Sequence, residues 1–536
     1  MGIWGGSEWK KDPREIYNGR LLWLTLTTAF AGCAYGFDQG NIGGVLTFPA
    51  FRRTFGYADM SPEDANTREG IIAGLLAAGG AVGALIGAPL ADFAGRKNAL
   101  GIMAGVFLLG GAFQEVPIYE VMVSGRFISG LAIGSTSMLS PQFLAENSPK
   151  AVRGTLTTSY NLMIVLALAL AFWINYGISL WPERHFNQDK SWQLSLGIAM
   201  IPNFAMFVMI WFLIETPRAL IQKGKDEQAR TNLVKLRKLP IEHPYVAQEY
   251  NEAIAQAEST QGQVRGFNYV AVLKVLTQNA SNRRRFILSL SLFFFQKLTG
   301  TDALNYFAPQ IFSMLGVQTG SMSLLTTGVY GIVKLVAQFI YVTLIVDRVG
   351  RRLPLLIGMS IQGAAMMYMG LYLRFGNVEH GGGVAAGGIV GIIFIYLYAF
   401  GWCLGMSVAP YVVTAEVFPT QIRSVGMALC FCFKWLFTYG ITTAVPHMMR
   451  VMGYGTFLFF GCATWAGTIW FFIVLPELKG RSLESMDDLF ERPLFTMWKH
   501  AYPDEDEKVF HRAIEDSDEK ISTPVYQETE HPERKV

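Results

Sequence analysis

Apolar stretches of about 20 residues recur twelve times along this chain, near 21–46, 70–91, 99–117, 121–144, 155–178, 192–214, 286–313, 322–345, 352–374, 387–415, 425–448 and 455–475, here spans 1 to 12. About 20 such residues are what a helix needs to cross the hydrocarbon core of a bilayer. No water satisfies backbone N–H and C=O groups there, so each stretch must be a helix that satisfies its own. The fold class that follows is an all-α membrane protein. Composition agrees, because only 16% of the residues are charged against about a quarter in soluble domains. The net charge of +3 matters less than its distribution. If both termini are cytoplasmic, the short inner loops carry Arg96, Lys97, Lys150, Arg153, Arg348, Arg351, Arg352 and Arg423. Twelve more Lys and Arg fall in the central segment, and seven are spread over all the outer loops. That bias orients the chain by the positive-inside rule. The polar start, including WKKDPREIYNGR, holds no cleavable signal pattern, so span 1 is expected to act as its own start signal.

Six spans, a polar segment of about 70 residues, six more spans and a polar tail follow in order. The expected units are a cytoplasmic N-terminus (1–20), a six-helix bundle (21–214), a cytoplasmic central loop (215–285), a second bundle (286–475) and a largely disordered cytoplasmic tail (476–536). KGKDEQARTNLVKLRKL and QEYNEAIAQAE in the central loop read as short amphipathic helices. The halves echo each other: ADFAGRK (91–97) matches VDRVGRR (346–352), and AENSPKAVRG (145–154) matches AEVFPTQIRSVG (415–426). A duplicated bundle with equivalent charged loops on one face is a transporter layout, with substrate bound between halves that rock around it. The repeated charges, Asp92, Arg96, Glu146, Arg153, Glu215 and Arg218 in the first half and Asp347, Arg351, Glu416, Arg423 and Glu477 in the second, are expected to form ion pairs that close an inner gate; topology signals and helix-end charges are the plainer reading.

Other chemistry finds no support. EHGGGVAAGG (379–388) lacks the GK[ST] ending of a phosphate cradle. Cys33, Cys403, Cys430, Cys432 and Cys462 all fall in spans and give neither a disulfide framework nor a metal spacing. No cofactor, metal, nucleic-acid partner or enzymatic nucleophile–base set is expected. NAS (279–281) fits a glycosylation pattern but falls on the cytoplasmic side.

Several ordered strings resemble the sugar porter family of the major facilitator superfamily, its fungal members in particular. They are GFDQG (36–40), GAPLADFAGRK (87–97), GRFISGLAIG (125–134), PQFLAENSPKAVRG (141–154), ETPR (215–218), FQKLTGTDALNYFAP (295–309), DRVGRR (347–352), AEVFPTQIRSVG (415–426) and PELKGRSLE (476–484). The resemblance runs from about residue 20 to about 490. It implies twelve helices in two bundles, alternating access, and monosaccharides or related polyols as substrates, carried by a monomer in a fungal plasma membrane. It also implies that Asp38 and Arg126 are the acid and arginine that proton-coupled members pair. A purely structural Asp38–Arg126 ion pair is the other reading. The family's sugar contacts fall on Asn161 (usually Gln), Gln296, Lys297 (usually Gln), Asp302 (usually Asn), Tyr306, Tyr411 (often Trp), Lys434 (usually Asn) and Trp435.

The charged departures leave three readings open. Asp302 neutralises Lys297 or Lys434 internally; surplus positive charge recognises an anionic polyol acid such as quinate or a uronate; or these groups join the proton pathway. Lys297 and Asp302 lie five apart and do not face each other on a regular helix, although Gly300 between them offers a break. Lys334 is a further cation inside span 8. FWINYG (172–177) resembles the fungal quinate-permease branch, whereas FQKLTGTD is not that branch's usual string. Tyr306 and Phe307, before Pro309, read as an outer gate or as packing. The expected function is proton-coupled uptake of a monosaccharide or sugar-like polyhydroxy compound. A carrier of anionic polyol acids, a facilitator, a nutrient receptor and a metabolite exporter are the alternatives.

Overall fold

The computed structural model describes residues 12–149, 152–181, 190–261, 269–318, 320–345, 349–376, 384–419, 422–478, 489–500 and 502. Asp347, Lys150, Arg348, the side chain of Arg423, most of the N-terminal segment and the tail from 503 lie outside this range. Among the described residues every regular element is a helix. The first half comprises Gly19–Val45, Pro62–Ala94, Arg96–Gln114, Tyr119–Asn147, Arg153–Ser179 and Ser191–Met209. The second comprises a broken span 7, then Ser321–Ile340, Arg352–Phe375, a broken span 10, Arg423–Met452 and Tyr454–Val474. Among the described residues, eight of the spans are, by length and composition alone, apolar enough to cross a membrane. Spans 1, 3, 4 and 7 complete the twelve, and each of these carries polar groups of the site described below.

Association of helices in lipid depends on close packing, because lipid is as apolar as the side chains themselves. Spans 2 and 4 supply it with interleaved small residues. A Cβ on Gly83 would lie 2.1 Å from the Leu131 carbonyl, and one on Gly130 the same distance from that of Leu76. Between the halves, span 2 packs on span 11, span 5 on span 8, and span 1 on the outer part of span 7. The central segment folds into helices Pro217–Gln222, Asp226–Arg237, Pro244–Gln261 and Tyr269–Gln278. The first three bury Leu220, Leu233, Val246, Tyr250 and Ala253 among themselves. Arg237 locks them to span 4: it donates to both Glu249 oxygens at 2.8 and 2.6 Å and to the Asn147 carbonyl at 2.8 Å. Asn18 and Arg20, at the start of span 1, donate to the carbonyls of Leu236 and Lys235 at 2.8 and 2.7 Å. Arg284 donates to the Phe490 carbonyl at 2.9 Å, so the chain beyond span 12 returns to the same face.

Candidate functional site

Span 7 builds the site by breaking. Its first helix, Ala280–Leu298, ends one residue past Lys297, and Gly300 takes a left-handed φ of 86° before helix resumes at Thr301–Tyr306. On a continuous helix residues five apart point about 140° away from each other. The break brings Asp302 back over the preceding turn, and Lys297 Nζ lies 3.0 and 3.2 Å from its two oxygens. The internal ion pair is therefore formed across the break, with both side chains buried. Gln39 on span 1 donates to the same carboxylate at 3.3 Å, reaching across from the other half.

Around this pair lies a cleft lined by both halves. Tyr35, Gln39, Asn161, Ile164, Val165 and Leu168 line it from the first half. Gln296, Lys297, Thr301, Asp302, Asn305, Lys334, Trp402, Ser407 and Tyr411 line it from the second. Amides and hydroxyls that both donate and accept, set among aromatic faces, match a polyhydroxylated ring. Gln296 is oriented by its donation to the Met406 carbonyl at 2.7 Å, at the break in span 10. Its buried Oε1 makes no hydrogen bond to the protein. Lys334 Nζ donates to Asn305 Oδ1 at 2.8 Å and stands 5.6 and 5.7 Å from the Tyr330 and Trp402 rings. Lys434 sits behind the wall in an aromatic cage, 4.2 Å from the Trp435 ring centroid, 5.3 Å from those of Tyr35 and Tyr411, and 5.7 Å from that of Phe431.

One residue before Gln39, Asp38 turns to the interior of the first half and meets Arg126 in a close ion pair. The guanidinium is fully buried and also donates to the Ile72 carbonyl at 2.8 Å and to Gln114 Oε1 at 3.4 Å. Gln114 is in turn held by Ser129 Oγ at 2.9 Å. Neighbouring residues of span 1 thus touch the buried acid–arginine pair on one side and the cleft on the other.

This architecture has known relatives. The family described as sugar (and other) transporter matches residues 24–490. The chain belongs to the sugar transporter family of the major facilitator superfamily. A probable quinate permease of Neosartorya fischeri is 32% identical over 526 residues, 96% of each chain. A probable quinate permease of Aspergillus niger is 32% identical over 533 residues, 96% of this chain and 97% of that one. Among solved structures, the xylose transporter XylE from E. coli in a partially occluded inward-open conformation aligns with a TM-score of 0.72 at 22% identity, over 87% of this chain and all of that one. The proton:xylose symporter XylE bound to 6-bromo-6-deoxy-D-glucose aligns with a TM-score of 0.73 at 22% identity, over 88% and 99%.

In this sugar transporter family member the structure gathers Asn161, Gln296, Lys297, Asp302 and Tyr411 on the cleft wall. Lys434 and Trp435 lie behind Tyr35 and Tyr411 rather than on the wall. Tyr306 lies off the cleft wall, where its carbonyl would be 2.3 Å from a Cβ on Gly43 of span 1. Sequence reasoning passed over Tyr35, Gln39, Asn305, Trp402, Ser407 and Gln114. Gln39 and Asn305 stood inside strings already singled out, and Trp402 and Ser407 flank the break in span 10.

The charged face differs from the expected inner gate. Arg96 lies 3.4 Å from Asp92 and 3.6 Å from Glu146, and donates to Gln222 at 2.9 Å. Arg351 lies 3.0 Å from Glu416. Each pair braces helices of one half, and among the described residues none on this face bridges the two halves. Arg153 and Arg218 join none of these pairs. Glu215 and Glu477 cap helices: Glu215 accepts from the Lys97 N–H at 3.2 Å, and Glu477 from those of Arg351 and Arg352 at 3.0 Å. A carboxylate suits a helix N-terminus because unpaired N–H groups and the helix dipole both favour it. Gly350, with φ 89°, leaves the room, since a Cβ there would lie 2.4 Å from Glu477 Oε2. Gly350→Ala is expected to cost about 1–3 kcal/mol through the left-handed backbone and to dislodge the cap. The thermal midpoint of the detergent-purified protein checks this, and an unchanged midpoint would count against the capping role. On the opposite face ties do cross between halves: Gln310 donates to Glu69 at 3.3 Å, and Arg450 lies 3.7 Å from Glu63.

Proposed function

We propose that this transporter imports a polyhydroxylated carboxylate of the quinate type across the fungal plasma membrane, together with a proton, by alternating access, with both termini cytoplasmic. The observation that carries this reading is the charge of the cleft. Lys297, Lys334 and Lys434 stand in or against it, and Asp302 is the single acid on its wall. The hydroxyl-bonding groups Asn161, Gln296 and Asn305 fit a polyol, and the excess of lysine fits its carboxylate. The names of the curated relatives agree with it. The buried Asp38–Arg126 pair beside the cleft supports proton coupling, because a carboxylate that exchanges an arginine for a proton alters what span 1 presents to both sites. A neutral monosaccharide is the second reading, supported by the Lys297–Asp302 pair, which cancels one charge internally.

The deciding experiment is uptake of labelled quinate and labelled glucose in a transport-deficient yeast expressing this chain, with and without an uncoupler. Saturable quinate uptake that the uncoupler stops is the expected result. Glucose uptake that excess quinate leaves untouched would replace the acid by a neutral sugar. Uptake indifferent to the uncoupler would make the protein a facilitator, and no uptake of either compound would favour a receptor or an exporter.

A further inference from the structure

The three lysines of the site are not equivalent. Lys297 is neutralised by Asp302 at 3.0 Å. Lys434 is enclosed by four aromatic rings and forms no part of the cleft wall. Lys334 lies on the wall, is 3% exposed, and has the neutral Asn305 Oδ1 as its hydrogen-bond acceptor. That oxygen is itself shared with the Tyr330 hydroxyl at 3.2 Å. Among the described residues no carboxylate pairs with Lys334, and the one acid on the wall, Asp302, is already engaged by Lys297 and Gln39. A desolvated ammonium with one neutral acceptor is an incomplete site. Its remaining N–H donors are best satisfied by an oxyanion.

We infer that Lys334 is the counter-ion for the substrate carboxylate and sets the preference for acid over neutral polyol. Asn305 and the Tyr330 and Trp402 faces hold the ammonium in place. The hydroxyls of the substrate are then left to Asn161 and Gln296 across the cleft, so one ligand bridges both halves. Lys297 keeps the break in span 7 together and does not read the substrate charge. The inference rests on the polyol-acid reading above and adds which residue carries it.

The test compares quinate with its methyl ester, which keeps the hydroxyls and loses the charge, as competitors of labelled quinate uptake. Wild type is expected to prefer the acid. In Lys334→Gln the ester-to-acid ratio of inhibition constants is expected to fall by roughly 10- to 100-fold, the worth of one charge-assisted hydrogen bond, and Lys334→Arg is expected to recover much of it. A ratio needs no correction for expression level. Where Lys334→Gln transports too slowly, the same ratio is read from quenching of tryptophan fluorescence in the purified protein, since Trp402 lies on the cleft wall. A ratio unchanged in Lys334→Gln overturns the assignment. So does a collapse in Lys434→Met with Lys334→Gln unaffected, which moves the anchor to the cage. A wild type that binds acid and ester alike overturns the polyol-acid reading itself, an outcome separate from failure of the lysine assignment.

Discussion

Asp38→Asn is expected to abolish uphill accumulation and leave exchange intact. In cells preloaded with unlabelled substrate, labelled substrate still enters by counterflow, whereas with the membrane potential clamped at zero net uptake stops at an inside-to-outside ratio of about 1. The asparagine oxygen can accept the same Arg126 hydrogen bond, and Arg126 remains anchored by the Ile72 carbonyl at 2.8 Å and Gln114 at 3.4 Å. The variant strands the Arg126 charge, at a stability cost of about 3–5 kcal/mol, but these neutral hydrogen bonds hold the guanidinium in place while the proton acceptor is lost. Each pH unit across the membrane is worth a factor of about ten, so a gradient of two units gives about 100-fold accumulation in wild type and none in the variant. The substrate's charge decides which force does the work. A carboxylate carried with one proton moves no net charge, so accumulation should follow the pH gradient and ignore a potassium–valinomycin clamp. A neutral sugar carried with one proton would draw also on the membrane potential, about 2.3 kcal/mol per 100 mV. Wild-type accumulation by Asp38→Asn would remove the coupling role of this pair.

Much of the architecture is legible in the sequence, because bilayer thickness sets the length of every span and backbone satisfaction sets its conformation. The site is legible where it is local. GFDQG and GRFISG mark two groups that must be paired if buried, and Asp38 and Arg126 do meet. What the sequence hides is set by helix breaks and by packing between helices. Helical periodicity separates Lys297 from Asp302, and a single left-handed residue at Gly300 reverses that geometry. Glu215 and Glu477 lie more than 100 residues from the N–H groups they cap, so nothing in ETPR or PELKGRSLE distinguishes a cap from a gating partner. Lys334 was visible as a mid-span cation, but its place on the cleft wall depends on how span 8 packs on spans 5 and 10. Lys434 falls on a sugar-contact position of the family, and its enclosure by four aromatic rings from spans 1, 10 and 11 is set by packing between helices.

Lys297→Gln and Asp302→Asn are each expected to destabilise the protein strongly, and together far less. Each single change strands a charge among side chains that are at most 3% exposed, and breaking one partner of a buried pair typically costs about 3–5 kcal/mol. The double change leaves two neutral amides that can hydrogen-bond to each other across the break, with Gln39 still able to donate to the residue at 302. The coupling between the two sites should therefore recover most of that cost, read from thermal midpoints of the four proteins in one detergent. Additive losses would mean that the pair, although 3.0 Å apart, contributes nothing as a pair. The location of the ion pair gives it a second consequence. It spans the Gly300 break, so it ties Thr301–Tyr306 to the helix below, and this outer piece is what packs against span 1. In the proposed alternating access that contact must open and close, and a flexible break with no electrostatic clasp would let this piece move alone. The double variant is then expected to fold and bind with transport slowed more than affinity is weakened. Equal losses in maximal rate and in affinity would place the pair among simple substrate contacts.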